Sequence, residues 1–154
     1  MVILSLDTSE IVAGLRDRSN ATRLPFDRAR EKGVELVVSS IAVHELASGA
    51  AQSARPEMQL ALLEAYLADV DQIDFTADDA RTSGVLWASL RHAGRPIGDL
   101  DTLIAGQALA RGWAVVTRNI RHFGRVEGLP LIDWSEGSEP LTAERIAARV
   151  AESG

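Results

Sequence analysis

The feature that most constrains this chain is the alternation of short apolar runs with stretches long enough to hold helices. Val2–Leu6, Val34–Val38 and Trp113–Thr117 are short, rich in aliphatic and β-branched side chains, and bounded by polar or glycine-containing segments. Runs of that kind suit strands buried on both faces. Asp71–Phe75 and Leu131–Asp133 are weaker candidates of the same type. The intervals between these runs are too long for hairpins. They suit the helical crossovers that parallel neighbours require. The expectation is an α/β chain: three layers, α/β/α, around a mostly parallel sheet of four to five short strands.

Local signals place the helices. Asp7-Thr8-Ser9 offers capping chemistry for a helix over Glu10–Arg18, and a second helix spans Thr22–Lys32 with Gly33 closing it. Ser39-Ser40 precedes a helix that starts at Ile41. Pro56 sits where a first-turn proline belongs. After it, Met58, Ala61, Leu62, Ala65 and Tyr66 recur at three-and-four spacing and predict the buried stripe. Thr76 and Asp79 have capping-box spacing, with Asp in place of Glu or Gln. The helix that follows carries Ala80, Gly84, Trp87 and Leu90 on one stripe and ends at Gly94. Asp99 is expected to cap a helix over Leu100–Arg111, stopped by Gly112, and Ala143–Ala151 reads as a terminal helix. The pattern gives one domain over residues 1–134 and a C-terminal tail over 135–154, with a short helix packed on the domain.

Composition narrows the function classes. There is no cysteine, so thiolate metal sites, disulfides and cysteine nucleophiles are excluded. No apolar run approaches the roughly 20 residues that span a bilayer, and the N-terminus lacks a basic leader, so no membrane partner and a cytoplasmic location are expected. The net charge of −6 does not suggest a nucleic-acid binder. Its distribution is uneven, however: Thr102–Val126 contains no acid but carries Arg111, Arg118, Arg121 and Arg125.

In open α/β sheets functional residues gather at the carboxyl ends of strands. Asp7 ends the first strand, Glu45 lies early in the helix after the second, and Asp99 and Asp101 begin the helix that leads into the fourth. Asn119 follows the fourth strand. Taken singly, each has a plainer reading: Asp7 caps a helix, Glu45 is a solvated helix residue, and Asp99 and Asp101 suit a helix's first turn through the dipole. Taken together they could meet on one rim. Clustered carboxylates repel one another, so such a rim implies bound cations.

Several of these segments resemble the PIN-domain family, in particular its VapC class, with similarity running from Val2 to Trp134. Leu6-Asp7-Thr8-Ser9 is similar to the family's first acidic motif, and Ser39–Leu46 with Gly49 resembles the second, whose acid is Glu45. Gly94-Arg95-Pro96-Ile97-Gly98-Asp99-Leu100-Asp101-Thr102-Leu103-Ile104-Ala105 resembles the third and most specific, with Asp101 at the family's aspartate. Val115–Phe123, followed by Gly128-Leu129 and Trp134, is similar to the fourth segment.

The resemblance implies a Mg²⁺- or Mn²⁺-dependent endoribonuclease acting as the toxin of a toxin–antitoxin pair. In it Asp7, Glu45 and Asp101 would be metal ligands, and Asp99 would be an outer ligand or would orient a metal-bound water. Thr8, Thr117 and Asn119 would hydrogen-bond those groups. Arg118, Arg121 and Arg125 are candidates for contact with RNA phosphates, although a solvated surface explains any one of them equally well. The implied partners are an RNA such as tRNA, a VapB-type antitoxin, and a second copy of the chain through the helices between Pro56 and Gly94. An antitoxin Arg or Lys would pair with the carboxylates, and its apolar neighbours would pack near Ile11, Leu15 and the Glu45 helix. One departure stands out. Family nucleases often carry a fourth acid after the fourth strand, where this chain offers Asn119 and His122, which leaves a second metal position open.

Other strand-ending aspartates fit less well. Dehalogenase-type phosphatases need a second Asp at position 9, which is Ser9. Receiver domains need a late lysine, and Lys32 is the only lysine here. A zincin reading of His44-Glu45 fails because Ser48 occupies the second histidine position. The alternative that survives is a catalytically degenerate PIN domain serving as a binding or assembly module, for which Asn119 is the argument.

Overall fold

The computed structural model describes residues 2–17, 19 and 22–152. Five strands, β1 (Ile3–Leu6), β2 (Glu35–Ser39), β3 (Asp71–Ile73), β4 (Ala114–Val116) and β5 (Leu131–Ile132), form one sheet in the order β3-β2-β1-β4-β5. Every pairing is parallel. The expected three-layer α/β/α architecture is present, with helices α1 (Thr8–Arg16), α2 (Arg23–Glu31), α3 (Ser40–Ala51), α4 (Pro56–Leu67), α5 (Ala77–His92), α6 (Asp99–Arg111), α7 (Ile120–Phe123) and α8 (Ala143–Glu152).

The first strand lies at the centre. In register, Leu4 stands opposite Leu36 on one side and Ala114 on the other. The chain builds outward through β2 and β3, then crosses back to place β4 and β5 on the far side. The strand order therefore reverses between β1 and β4, and a crevice opens at their carboxyl ends. Leu6, Val37, Val38, Val115 and Val116 are all buried, as a sheet covered on both faces requires.

Local chemistry explains most boundaries. Asp7 caps α1, and Ser39 Oγ accepts the Ile41 N–H to cap α3. Thr76 and Asp79 form a complete capping box. Strands are shorter than the apolar runs: Val2 is 62% exposed, and Phe75 N–H leaves β3 to donate to Ser40 Oγ. Asp99 does not cap α6. It is the helix's first residue, and Gly98, at φ +88°, supplies the entry bend. The short α7 had no counterpart in the sequence pattern. Arg18, the expected end of the first helix, lies outside the described residues, and α1 itself ends at Arg16.

Two helices turn a different face inward from the one their apolar spacing suggests. In α4 the buried residues are Leu63 and Leu67, with Tyr66 half-buried, while Met58 and Leu62 are exposed. In α5 the buried residues are Asp79, Ser83 and Leu90, whereas Ala80, Gly84 and Trp87 face out. The cause in α5 is a close helix crossing combined with a buried charge. A Cβ on Gly106 of α6 would stand 2.4 Å from Ser83 Cβ, so the two helices meet through their smallest residues. Asp79 turns inward because Arg111 and Gln107 of α6 donate to its carboxylate at 2.8 and 3.0 Å. Arg111 thereby holds Asp79 well below the usual carboxylate range.

Candidate active site

Asp7 stands where β1 stops and α1 begins, at the crevice, and is 2% exposed. Its backbone N–H donates to Val116 O at 2.9 Å, which fixes the residue against the end of β4. Three donors converge on Oδ2: Ser9 Oγ at 2.7 Å, Thr117 Oγ1 at 2.8 Å and the Ser9 N–H at 3.4 Å. The other oxygen, Oδ1, is buried and has no hydrogen-bond partner among the described residues. Burial raises the carboxyl's pKa, the Ser9 and Thr117 bonds oppose that rise, and the charge of Asp101 adds to it.

Glu45, half-buried on α3, accepts from Thr8 Oγ1 at 3.1 Å. Burial raises its pKa as well, Thr8 pulls the other way, and Asp101 and Asp7 push it further up. The structure thus brings Asp7, Glu45 and Asp101 close enough to feel one another's charge. Asp101 Oδ2 meets His122 Nδ1 at 3.0 Å and Asn119 Nδ2 at 3.3 Å. With both nitrogens donating to the carboxylate, the 3.1 Å approach between them is a side contact of the same triangle. Asn119 is held in place by its own N–H, which donates to Thr117 Oγ1 at 2.9 Å. Thr8, Thr117 and Asn119 therefore each contact a rim carboxylate.

The remaining candidates are dispersed. Asp99 faces outward and accepts from the Trp87 indole Nε1 at 3.1 Å. Arg118 donates to the buried Glu10 at 2.9 Å. Arg125 donates to the Pro96 carbonyl at 2.7 Å, bracing the turn before α6. Arg121 is exposed on α7. Sequence reasoning gave no role to Ser9, which contacts Asp7 and Thr117 and also accepts the Arg118 N–H at 3.0 Å. Its only signal was its place two residues after a strand-ending Asp, the spacing of a side-chain cap. Glu10 was missed too. Burial raises its pKa, Arg118 lowers it, and Asp133 and Asp7 add to the rise.

Divalent cations suit this rim. An unpartnered buried carboxylate oxygen and two carboxyls, Asp7 and Glu45, each raised first by burial and further by the charge of Asp101, mark a place where positive charge is missing. Among the described residues no three His, Asp or Glu side chains close into a ready cage. Hard cations such as Mg²⁺ draw on one or two carboxylates and complete their shell with water and phosphate oxygen, so an open rim fits them better than a closed cage would. Asp7 Oδ1, Asp101 and Glu45 are the oxygens available.

Comparison with known proteins shows what the chain as a whole is similar to. The sequence profile of the PIN domain matches residues 4–129. The chain is 36% identical over 135 residues to the tRNA(fMet)-specific endonuclease VapC of Shigella flexneri, covering 88% of this chain and 100% of that one. It is 33% identical over 134 residues to the protein of the same name from Salmonella typhimurium, covering 87% of this chain and 99% of the other. Among solved structures, VapBC2 from Rickettsia felis, bound to a DNA fragment from its promoter, superposes with a TM-score of 0.82 at 30% identity. That superposition covers 86% of this chain and 99% of the other.

Proposed function

Because the chain belongs to the PIN-domain family, we propose that it is an endoribonuclease that hydrolyses RNA phosphodiester bonds with Mg²⁺ or Mn²⁺ and serves as the toxin of a toxin–antitoxin pair. The observation that carries this reading is the buried, half-partnered Asp7 carboxylate at the β1–β4 crevice, under the charge of Asp101, with Glu45 in turn under the charges of both. When bound, the cation would stabilise charge on the phosphate and make a water a better nucleophile.

The chain's own residues have distinct tasks in this scheme. Asp7, Asp101 and Glu45 supply the oxygens. Ser9 and Thr117 fix the Asp7 rotamer by engaging Oδ2, which leaves Oδ1 without a partner among the described residues. Asn119 and His122 hold Asp101, and Thr8 holds Glu45. The amide at 119 is neutral, so one strong ion site and a weaker second one follow. Asp99, engaged by Trp87, is peripheral, and its Asp→Asn variant is expected to retain much of the activity.

The partner would be a VapB-type antitoxin. A groove between α1, α3 and α4 is lined by Thr8, Val12, Leu15, Glu45, Met58 and Leu62, so it joins an apolar floor to the acidic rim. The exposed Met58 and Leu62 stripe of α4 belongs to this floor. An apolar segment ending in Arg or Lys fits both parts, and truncating that cation would weaken binding by about 2–5 kcal/mol. A second copy of the chain and a structured RNA such as tRNA complete the proposed set. The test is to express the chain with and without its neighbouring gene product. Growth arrest and RNA cleavage relieved by the partner are expected. A chain harmless alone, or a partner that binds without suppressing cleavage, would sink the toxin reading.

A further inference from the structure

Of the chain's three tryptophans, Trp113 and Trp134 are buried at 6% and 7% exposure, whereas Trp87 is 43% exposed on α5. It is not loose. Its indole Nε1–H donates to Asp99 Oδ1 at 3.1 Å, and the Arg91 guanidinium, one turn further along α5, sits over its ring at 4.6 Å from the centroid. Asp99 opens α6, two residues before Asp101, so the indole is anchored to the helix turn that carries a rim carboxylate. We propose that Trp87 and Arg91 form a stacking platform for a nucleobase of single-stranded RNA whose phosphate lies at the acidic rim; this rests on the ribonuclease reading above.

An exposed aromatic ring held by a hydrogen bond and a cation loses little freedom when a base stacks on it, and base–aromatic stacking with a neighbouring arginine is how single strands are gripped without a base-edge code. The arginines that the sequence suggested for RNA are partly committed elsewhere: Arg118 to Glu10, Arg125 to Pro96 O. Arg91 adds a cation beside Trp87, which attracts a phosphate chain that the acids of the rim alone would repel. A second copy of the chain is the other conceivable occupant. It is disfavoured because the apolar surface on α5, with Val85, Leu86 and Leu90, lines a different hollow to which Trp87 and Arg91 do not contribute.

The test uses the full chain carrying Asp7→Asn, so that RNA stays intact, and a short single-stranded RNA of mixed sequence. A second oligonucleotide has the same backbone but abasic positions. Indole fluorescence, dominated in its solvent-sensitive part by Trp87, should be quenched by the RNA and not by the abasic strand. Adding Trp87→Ala should weaken RNA binding by roughly ten- to hundredfold while leaving abasic binding unchanged, and Trp87→Phe should restore most of the loss. Light scattering on the same samples should show an unchanged oligomeric state. The proposal is overturned if Trp87→Ala binds both strands as the parent does, if it weakens both equally, or if its effect is dissociation of the assembly. Cleavage of the same RNA by the otherwise unaltered protein separates the two readings: cleavage with unchanged Trp87→Ala binding removes the platform alone, and no cleavage removes the nuclease.

Discussion

Asp7→Asn should make the apo-protein more stable and the cation-bound protein less so. The substitution keeps the α1 cap, because an amide oxygen accepts from Ser9 and Thr117 as the carboxylate oxygen does. It removes a desolvated anion whose Oδ1 has no partner and whose neighbour Asp101 repels it. A buried unsatisfied polar atom costs about 1–3 kcal/mol, and more when charged. The amide NH₂ that replaces Oδ1 is itself poorly satisfied, so the net gain is about 1 kcal/mol, or about 2–4 °C in Tm for a chain of this length.

The sign follows from linkage. Folding raises the Asp7 pKa, so as pH rises the unfolded chain releases this proton first, near pH ~3.9, and the native state loses stability until its own higher pKa is passed. The variant escapes that loss. Its advantage should therefore be small in acid and grow as pH rises through the folded pKa of Asp7. With Mn²⁺ at about a hundredfold over its Kd, the unsubstituted chain gains about 2.7 kcal/mol and the order reverses. Thermal unfolding in chelator and in Mn²⁺, at acid and neutral pH, measures all of this. A variant that is less stable in chelator at neutral pH, or a cation that stabilises both proteins equally, would refute the reasoning.

Three further outcomes follow from packing and pairing. Gly106→Ala should destabilise the fold by about 3 kcal/mol despite alanine's better helix propensity, because its Cβ would meet the Ser83 backbone at 2.5 Å; denaturant unfolding gives the sign. Asp79→Ala should cost about 3 kcal/mol at neutral pH, since Arg111 and Gln107 lose their acceptor. Asp79's folded pKa is depressed, so the deficit should shrink as pH falls from ~4 toward that lower value, which acid titration of both proteins would reveal. Arg118→Ala should lower Tm with little change in the salt dependence of RNA binding, because its guanidinium neutralises the buried Glu10, whereas Arg121→Ala should do the reverse.

Local rules made the scaffold of the site readable. A strand-ending Asp, a Ser-Ser cap and a Thr–Asp capping box are short-range patterns, and each occupies the expected place in the structure. The convergence of Asp7, Glu45 and Asp101 was readable from topology, since parallel strands put their carboxyl ends on one rim. Helix faces were not. Apolar spacing on α4 and α5 counts greasy side chains, but Ser83 against Gly106 and the inward Asp79 decide which side of α5 is covered. On α4 the exposed Met58 and Leu62 belong to a groove rather than to the core. The pairing of Arg118 with Glu10 is not legible in the sequence, because the two lie 108 residues apart and no local signal links them. His122, which with Asn119 occupies the segment where a fourth acid often stands, is a hydrogen-bonding neighbour of Asp101 in the structure.

The proposed activity requires carboxylates at the β1–β4 crevice to cut RNA through a divalent cation. Its most direct test is cleavage of a single RNA by the unsubstituted chain and by Asp101→Asn, each in Mg²⁺, in Mn²⁺ and in excess chelator, with thermal unfolding of both proteins as a check on folding. Cleavage is expected only by the unsubstituted chain and only with metal, with Asp101→Asn folded and inactive. Cleavage that persists in chelator, full activity in Asp101→Asn, or no cleavage under any metal condition would contradict it, and the last of these would leave a PIN domain that binds without cutting.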